Sequence, residues 1–289
     1  MLSLAERAER FRALHRAPRL FVLPNAWDVP SARVFEDAGF PAVATSSAGV
    51  MVSLGYPDGE EIPREVYVAA VRRIAAKLAV PLSADVVAGF GRTATEVADT
   101  VRAVVEAGAV GINLEDQDPA TEALLPLPAQ AEKIRAVRAL GEELGVPLVI
   151  NARTDALWRG GGAPEDRFRE AVRRGRAFRD AGADCVYPMR LTDRAEIAAF
   201  VGEVPGPVNV MIRAGLPPLE ELERLGVRRV SFGPGASYAA LGLLKRIATE
   251  VLHERSFRSL IDGAITFDEL NRLAEPRAPD LLREPDAGS

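Results

Sequence analysis

Four glycines set the rhythm of this chain. Gly108, Gly145, Gly182 and Gly226 each follow a segment with amphipathic helical spacing, and each stands just before an apolar run. Glycine adopts the left-handed conformation that ends a helix at little cost, so these positions read as C-terminal stops. The runs they introduce, at 110–114, 147–151, 184–187 and 228–232, are mainly apolar and do not alternate strictly, with Asp184, Arg228, Arg229 and Ser231 among the polar exceptions. Parallel strands covered on both faces have that pattern. Further strands are expected at 20–23, 42–45, 82–86 and 207–210. Helices are expected over 30–37, 64–79, 93–107, 128–144, 164–181, 193–202, 217–225 and 236–252. Eight strand–helix units in succession make an α/β fold of the (β/α)₈ TIM-barrel type. The rival, a doubly wound sheet, would carry a G-x-G-x-x-G turn after its first strand, and that turn is missing. A helix over 3–16, with Ser3 as its N-cap, precedes the first strand. The barrel domain is expected to span residues 1–252, and a C-terminal helical extension and tail residues 253–289.

Composition narrows the function classes. The length of 289 residues suits a barrel, and 48% hydrophobic with 27% charged residues is ordinary for a soluble globular protein. A net charge of −5 with both signs interspersed offers no basic face for nucleic acid. The single cysteine, Cys185, excludes an internal disulfide and a cysteine-based zinc cage, and its place in a strand marks it as a buried thiol. His15 and His253 both fall in helical segments away from strand ends, which argues against a serine–histidine relay or a histidine-rich metal site. The N-terminus carries Glu6 and Glu9 and no long apolar run follows, so neither a signal peptide nor a membrane span is expected, and the cytoplasm is the expected compartment.

The chemistry is concentrated at strand ends, where parallel α/β proteins bind their ligands. Asp85 ends one apolar run, Glu115 and Asp116 the next, and Arg153 follows Ile150-Asn151-Ala152. Two acids and an arginine at successive strand ends point to a metal ion with an anionic ligand beside it. The long connection from Ser46 to Pro63 reads as a functional loop. Arg190 and Arg213 also follow strand ends, where an anionic group or plain solvent would meet them.

The motifs Asn25-Ala26-Trp27-Asp28, Thr45-Ser46-Ser47, Leu54-Gly55-Tyr56-Pro57-Asp58, Ser83-Ala84-Asp85, Gly111 to Gln117 and Asn151 to Ala156 occur in that order, each on its expected strand end. With them the chain resembles the isocitrate lyase / phosphoenolpyruvate mutase superfamily over roughly residues 15–250. The resemblance implies a barrel whose eighth helix is swapped with a partner subunit in a homodimer or homotetramer. It also implies Mg²⁺, with Mn²⁺ as an alternative, holding a small-molecule 2-oxo acid or dicarboxylate. By the same resemblance Asp85 and Glu115 correspond to metal-holding acids, Asp58 to the loop acid near the metal and Arg153 to the arginine that grips the ligand. Ser46, Ser47 and Ala48 correspond to the groups that receive its carboxylate and oxyanion. Trp27 and Asn209 are expected on the substrate pocket, with Asp58, Arg153 and Ser46 as the catalytic set.

Two departures bear on activity. Val87 stands where the family usually has a further acid, which lowers the charge available to a hard cation. The fourth loop, Asp118 to Pro126, lacks the lyases' Lys-Lys/Arg-Cys-Gly-His, whose Cys donates a proton to the departing enolate. The resemblance therefore leaves three functions. One is an Mg²⁺-dependent lyase acting on a 2-oxo acid or its C–C adduct, such as isocitrate, 2-methylisocitrate or oxaloacetate. Another is a P–C bond enzyme of the mutase or phosphonopyruvate hydrolase kind. The third is a weakly catalytic or non-catalytic 2-oxo-acid binder.

Overall fold

In the computed structural model, which describes residues 2–275, nine strand segments form one ring. They are β1 (Phe21–Leu23), β2 (Asn25–Ala26), β3 (Val43–Thr45), β4 (Leu82–Asp85), β5 (Gly111–Glu115), β6 (Val149–Thr154), β7 (Cys185–Pro188), β8 (Asn209–Met211) and β9 (Arg229–Ser231). All pairings between these strands are parallel, in the orders β2-β3-β4-β5-β6-β7 and β1-β9-β8. β7 meets β8 through a parallel bridge between Val186 and Val208, with Val186 N–H donating to Pro207 O at 3.0 Å. β1 and β2 are two halves of one barrel strand, interrupted by Pro24, which has no N–H to give. The lower half pairs with β9 and the upper half with β3, so the eight strands expected from the sequence close into the expected barrel.

Asn25 completes that junction above the proline. Its side chain donates to Thr45 O at 2.8 Å and accepts the N–H groups of Phe232 and Gly233 at 3.0 and 2.9 Å. The far end of the barrel is closed by the helix Leu4–Arg16, capped by Ser3 as its sequence indicates. Phe11, His15 and Phe21 pack edge to face there. Gly111 is required beneath Phe11, because a Cβ at that position would lie 2.6 Å from its ring.

The strands bury Leu82, Ala84, Ile112, Leu114, Ile150 and Ala152 on one face. Their alternate residues, Ser83, Asp85, Asn113, Asn151 and Arg153, line a cavity inside the barrel, as the two-residue period of a strand dictates. TIM-barrel interiors are ordinarily filled by bulky branched side chains. Here the upper interior is polar and open.

The expected long loop after β3 contains a helix, Ser47–Ser53, capped by the Ser46 hydroxyl, which accepts Gly49 N–H at 3.3 Å. Asp28 is likewise a helix cap, its Oδ1 accepting Ser31 N–H at 2.8 Å. The last barrel helix, Gly235–Thr249, buries Ser237 but leaves Tyr238, Leu241, Leu243 and Leu244 exposed. Beyond it, the helix Phe267–Ala274 returns to the barrel: Lys77 Nζ donates to Ala274 O at 2.7 Å and Arg33 Nη1 to Glu275 O at 3.2 Å. The last part of the expected tail, 276–289, lies outside the described residues. Among the described residues no helix is long and apolar enough to cross a membrane.

Candidate active site

The cavity at the carboxyl ends of the strands measures about 490 Å³. Ser46, Ser47, Ala48, Asp58, Asp85, Arg153 and Asn209, all expected from the sequence, line it together. Trp27 does not. It lies behind the Ser47–Ser53 helix, its Cβ 2.8 Å from where a Cβ on Gly49 would fall.

Asp85 is held from four directions. Its Oδ2 accepts Ser47 N–H at 3.1 Å and its Oδ1 accepts Asn113 Nδ2 at 2.8 Å, while Asn113 Oδ1 accepts Asn151 Nδ2 at 2.8 Å. Its backbone N–H donates to Thr45 Oγ1 at 2.9 Å and its carbonyl accepts the Tyr67 hydroxyl at 2.6 Å. A carboxylate so tethered needs no rearrangement to meet a ligand, which is the meaning of preorganisation. Burial, and then the neighbouring Asp85, raise the Asp58 carboxyl above its ordinary range, with Arg153 and Ser47 acting in the opposite sense.

Arg153 is the most strongly held group. Its Nε and Nη2 form a two-pronged pair with Asp155 at 2.8 and 2.9 Å, and its Nη1 lies 2.7 Å from Glu115 Oε2. Burial works against its charge, yet Glu115 and Asp155 keep it protonated. Asp155 is itself anchored: its N–H donates to Asp116 Oδ1 at 2.8 Å, and Asp116 Oδ2 accepts Arg174 Nη1 at 3.0 Å. Sequence reasoning assigned no role to Asp155, although it stands two residues from Arg153. It missed Asn113 and Asn151 as well. Polar residues recurring every second position at 83/85, 113/115 and 151/153 were the available signal.

Glu115 departs from its expected place. It is turned to Arg153 behind the cavity wall instead of lining the cavity, and burial holds its carboxyl above the usual range against the pull of that arginine. The remaining donor set still fits a hard cation. Asp58 and Asp85 are oxygen donors on one cavity whose mutual repulsion a divalent ion would relieve. Among the described residues no three acidic, histidine or cysteine side chains form a closed cage, so the fit is to an ion that keeps several waters.

The fourth loop is a short hairpin. Gln117 bridges Leu124, Leu125 N–H donates to Asp116 O at 2.8 Å, and Glu122 Oε2 pairs with Arg159 Nη1 at 2.7 Å. At the mouth, two guanidinium groups lie over the Trp158 indole, Arg159 at 3.9 Å and Arg190 at 4.1 Å from the ring centroid. Burial lowers the pKa of Arg190, and Arg213 and Arg159 add to that effect as like charges. Tyr187 lines the wall, with the thioethers of Met189 and Met211 taking its hydroxyl at 2.8 and 3.2 Å. Cys185 is fully buried, its thiol pushed up to about 12 chiefly by burial, as its strand position implied.

With this arrangement described, comparison with known proteins is decisive: the profile of the phosphoenolpyruvate phosphomutase family matches residues 11–252. The chain belongs to that family. Within the isocitrate lyase / phosphoenolpyruvate mutase superfamily, it is 28% identical to the 2-methylisocitrate lyase of Bacillus subtilis over 300 aligned positions, covering 97% of this chain and 96% of that one. A crystal structure from Burkholderia cenocepacia J2315, provisionally named a lyase/mutase, superposes with a TM-score of 0.87 at 39% identity, covering 96% of this chain and 98% of that one. Oxaloacetate acetylhydrolase, solved with the inhibitor 3,3-difluorooxalacetate, superposes with a TM-score of 0.81 at 26% identity over 94% and 93% of the two chains. The relatives include carbon–carbon lyases and phosphonate enzymes, so the chain belongs to a family of lyase- and mutase-type enzymes.

Proposed function

We propose that this enzyme makes or breaks a C–C bond next to a 2-oxo acid with the help of Mg²⁺. The observation that carries this reading is the convergence of Asp85, Asp58 and Arg153 on one cavity, with Asp85 and Arg153 already tethered by the protein. Asp85 and Asp58 would hold the ion, which supplies Lewis acidity to the 2-oxo and carboxylate oxygens when bound. Arg153 would take the ligand's anionic end, and its fixed charge would stabilise the enolate oxygen that receives the electron pair as the C–C bond of a hydroxy-acid adduct breaks. The other carbon becomes the 2-oxo carbonyl, and its hydroxyl proton passes to water. Ser46, Ser47 and Ala48 present the first turn of a helix, whose amides favour negative charge. The barrel to residue 252 carries the site, and residues 253–289 form the extension.

The exposed leucines of the Gly235–Thr249 helix support a homodimer or homotetramer in which that helix crosses to a partner. The test of function is direct: purified protein with Mg²⁺ is offered isocitrate, 2-methylisocitrate and oxaloacetate, and release of the cleavage products is followed. Absence of any product removes the proposal. Asp85→Ala is expected to abolish Mg²⁺-dependent ligand binding with an unchanged melting temperature; calorimetry checks it, and full binding by this variant places the ion elsewhere.

One observation favours a second reading. Arg190 and Arg213 at the mouth suit a phosphonate group, which is what a P–C bond enzyme would need. Phosphorus NMR of phosphonopyruvate incubated with the enzyme decides this, and an unchanged spectrum eliminates it.

A further inference from the structure

The cavity floor holds an arginine two of whose nitrogens have no partner among the described residues. Arg229, the first residue of β9, is 2% exposed, and its Nε and Nη1 make no hydrogen bond. It lines the same cavity as Asp85 and Arg153, but from the side of the barrel that faces His15 and the closing helix. Buried charges are almost always paired or hydrogen-bonded, because removing them from water is costly. Two further atoms of the lining, Ser83 Oγ and Asn151 Oδ1, are also buried without a partner. The unsatisfied set is therefore mostly donors around one cation, which is the complement of an anion.

We propose that the floor is a second anionic subsite, in which Arg229 receives the distal carboxylate of a dicarboxylic 2-oxo acid whose other end lies at Arg153 and Asp85. This rests on the 2-oxo-acid reading above and adds the substrate class to it. A planar guanidinium presents two parallel N–H groups to a carboxylate, and a single substrate reaching both ends of the cavity would satisfy Arg229 on binding. Until then the unpaired charge burdens the fold, as functional residues commonly do.

The test compares ligands that share one head. Pyruvate has a single carboxylate, while oxaloacetate and 2-oxoglutarate carry a second. Binding to the Mg²⁺-loaded protein is measured by calorimetry and by melting-temperature shift, for the wild type, Arg229→Met and Arg229→Lys. The wild type is expected to bind a dicarboxylate at least tenfold more tightly than pyruvate. Arg229→Met should bind both at the wild-type pyruvate level, Arg229→Lys should recover part of the preference, and the ligand-free Arg229→Met protein should melt no lower than the wild type.

A preference that survives in Arg229→Met, or a parallel loss of pyruvate binding, overturns the proposal. So does stabilisation by chloride or formate alone that matches the dicarboxylate and depends on Arg229, since the site would then hold a free anion. Pyruvate binding without dicarboxylate preference overturns the subsite alone, whereas failure of pyruvate to bind the wild type overturns the 2-oxo-acid reading beneath it.

Discussion

Replacing Asp155 with asparagine tests whether Arg153 is held by its carboxylate. Asp155 is fully buried and meets Arg153 at 2.8 and 2.9 Å, so Asp155→Asn keeps the shape but places an NH₂ group against one guanidinium N–H and removes one of two countercharges. Breaking a buried ion pair by losing one member costs about 3–5 kcal/mol. Because Glu115 remains 2.7 Å from Nη1, the lower figure of about 3 kcal/mol applies. For a chain of this length that is a fall in melting temperature of about 6 °C. Ligand affinity should fall with it, since the guanidinium loses the fork that aims it. Thermal unfolding and calorimetric titration with Mg²⁺ and oxalate read the two effects. The triple variant Arg153→Met/Asp155→Asn/Glu115→Gln separates them: with none of these three buried charges left unpaired it should regain much of the stability while binding stays lost. If Asp155→Asn melts and binds like the wild type, the guanidinium is positioned by something other than this carboxylate.

Two further predictions follow from burial. Val87 is a β-branched residue held at φ +53° beside the site, a conformation that aspartate tolerates better. Val87→Asp should tighten Mg²⁺ binding about tenfold through the added charge, measured by calorimetry, and an unchanged affinity refutes the placement of the ion near Asp85. His15 is nearly fully buried, and burial followed by the charge of Arg229 lowers its pKa to about 3 from an ordinary 6.5. The folded state resists a proton that the unfolded chain accepts, so this contribution to stability is complete above pH 6.5 and declines as pH falls toward 3. The loss is about 3 kcal/mol by pH 4.5, and urea unfolding should show His15→Leu losing correspondingly less between pH 7 and 4.5.

The barrel was legible because its signals are local. Glycine stops at 108, 145, 182 and 226 and apolar runs are properties of short windows, and the structure keeps left-handed glycines at all four. Asp85, Arg153 and Ser47 were legible because strand ends in such a fold face one cavity. What escaped was set by side-chain direction and distance along the chain. Nothing local shows that Glu115 turns toward Arg153, or that the Ser46 hydroxyl caps a helix hidden in an apparent loop. Arg229 is separated from Asp85 by about half the sequence, and only ring closure puts the two on one cavity. Its neighbour Arg228 has the same chemistry but the opposite pleat, so composition could not distinguish them.

The proline within the first barrel strand has a consequence for how this ring can vary over evolutionary time. Below Pro24 the closing junction is main chain, which substitutions rarely touch, but above it the link to residues 232 and 233 is one carboxamide. A single codon thus controls how firmly the rim is clasped at that point. Lineages that change residue 25 would trade a rigid rim for a pliant one without disturbing the hydrophobic layers beneath.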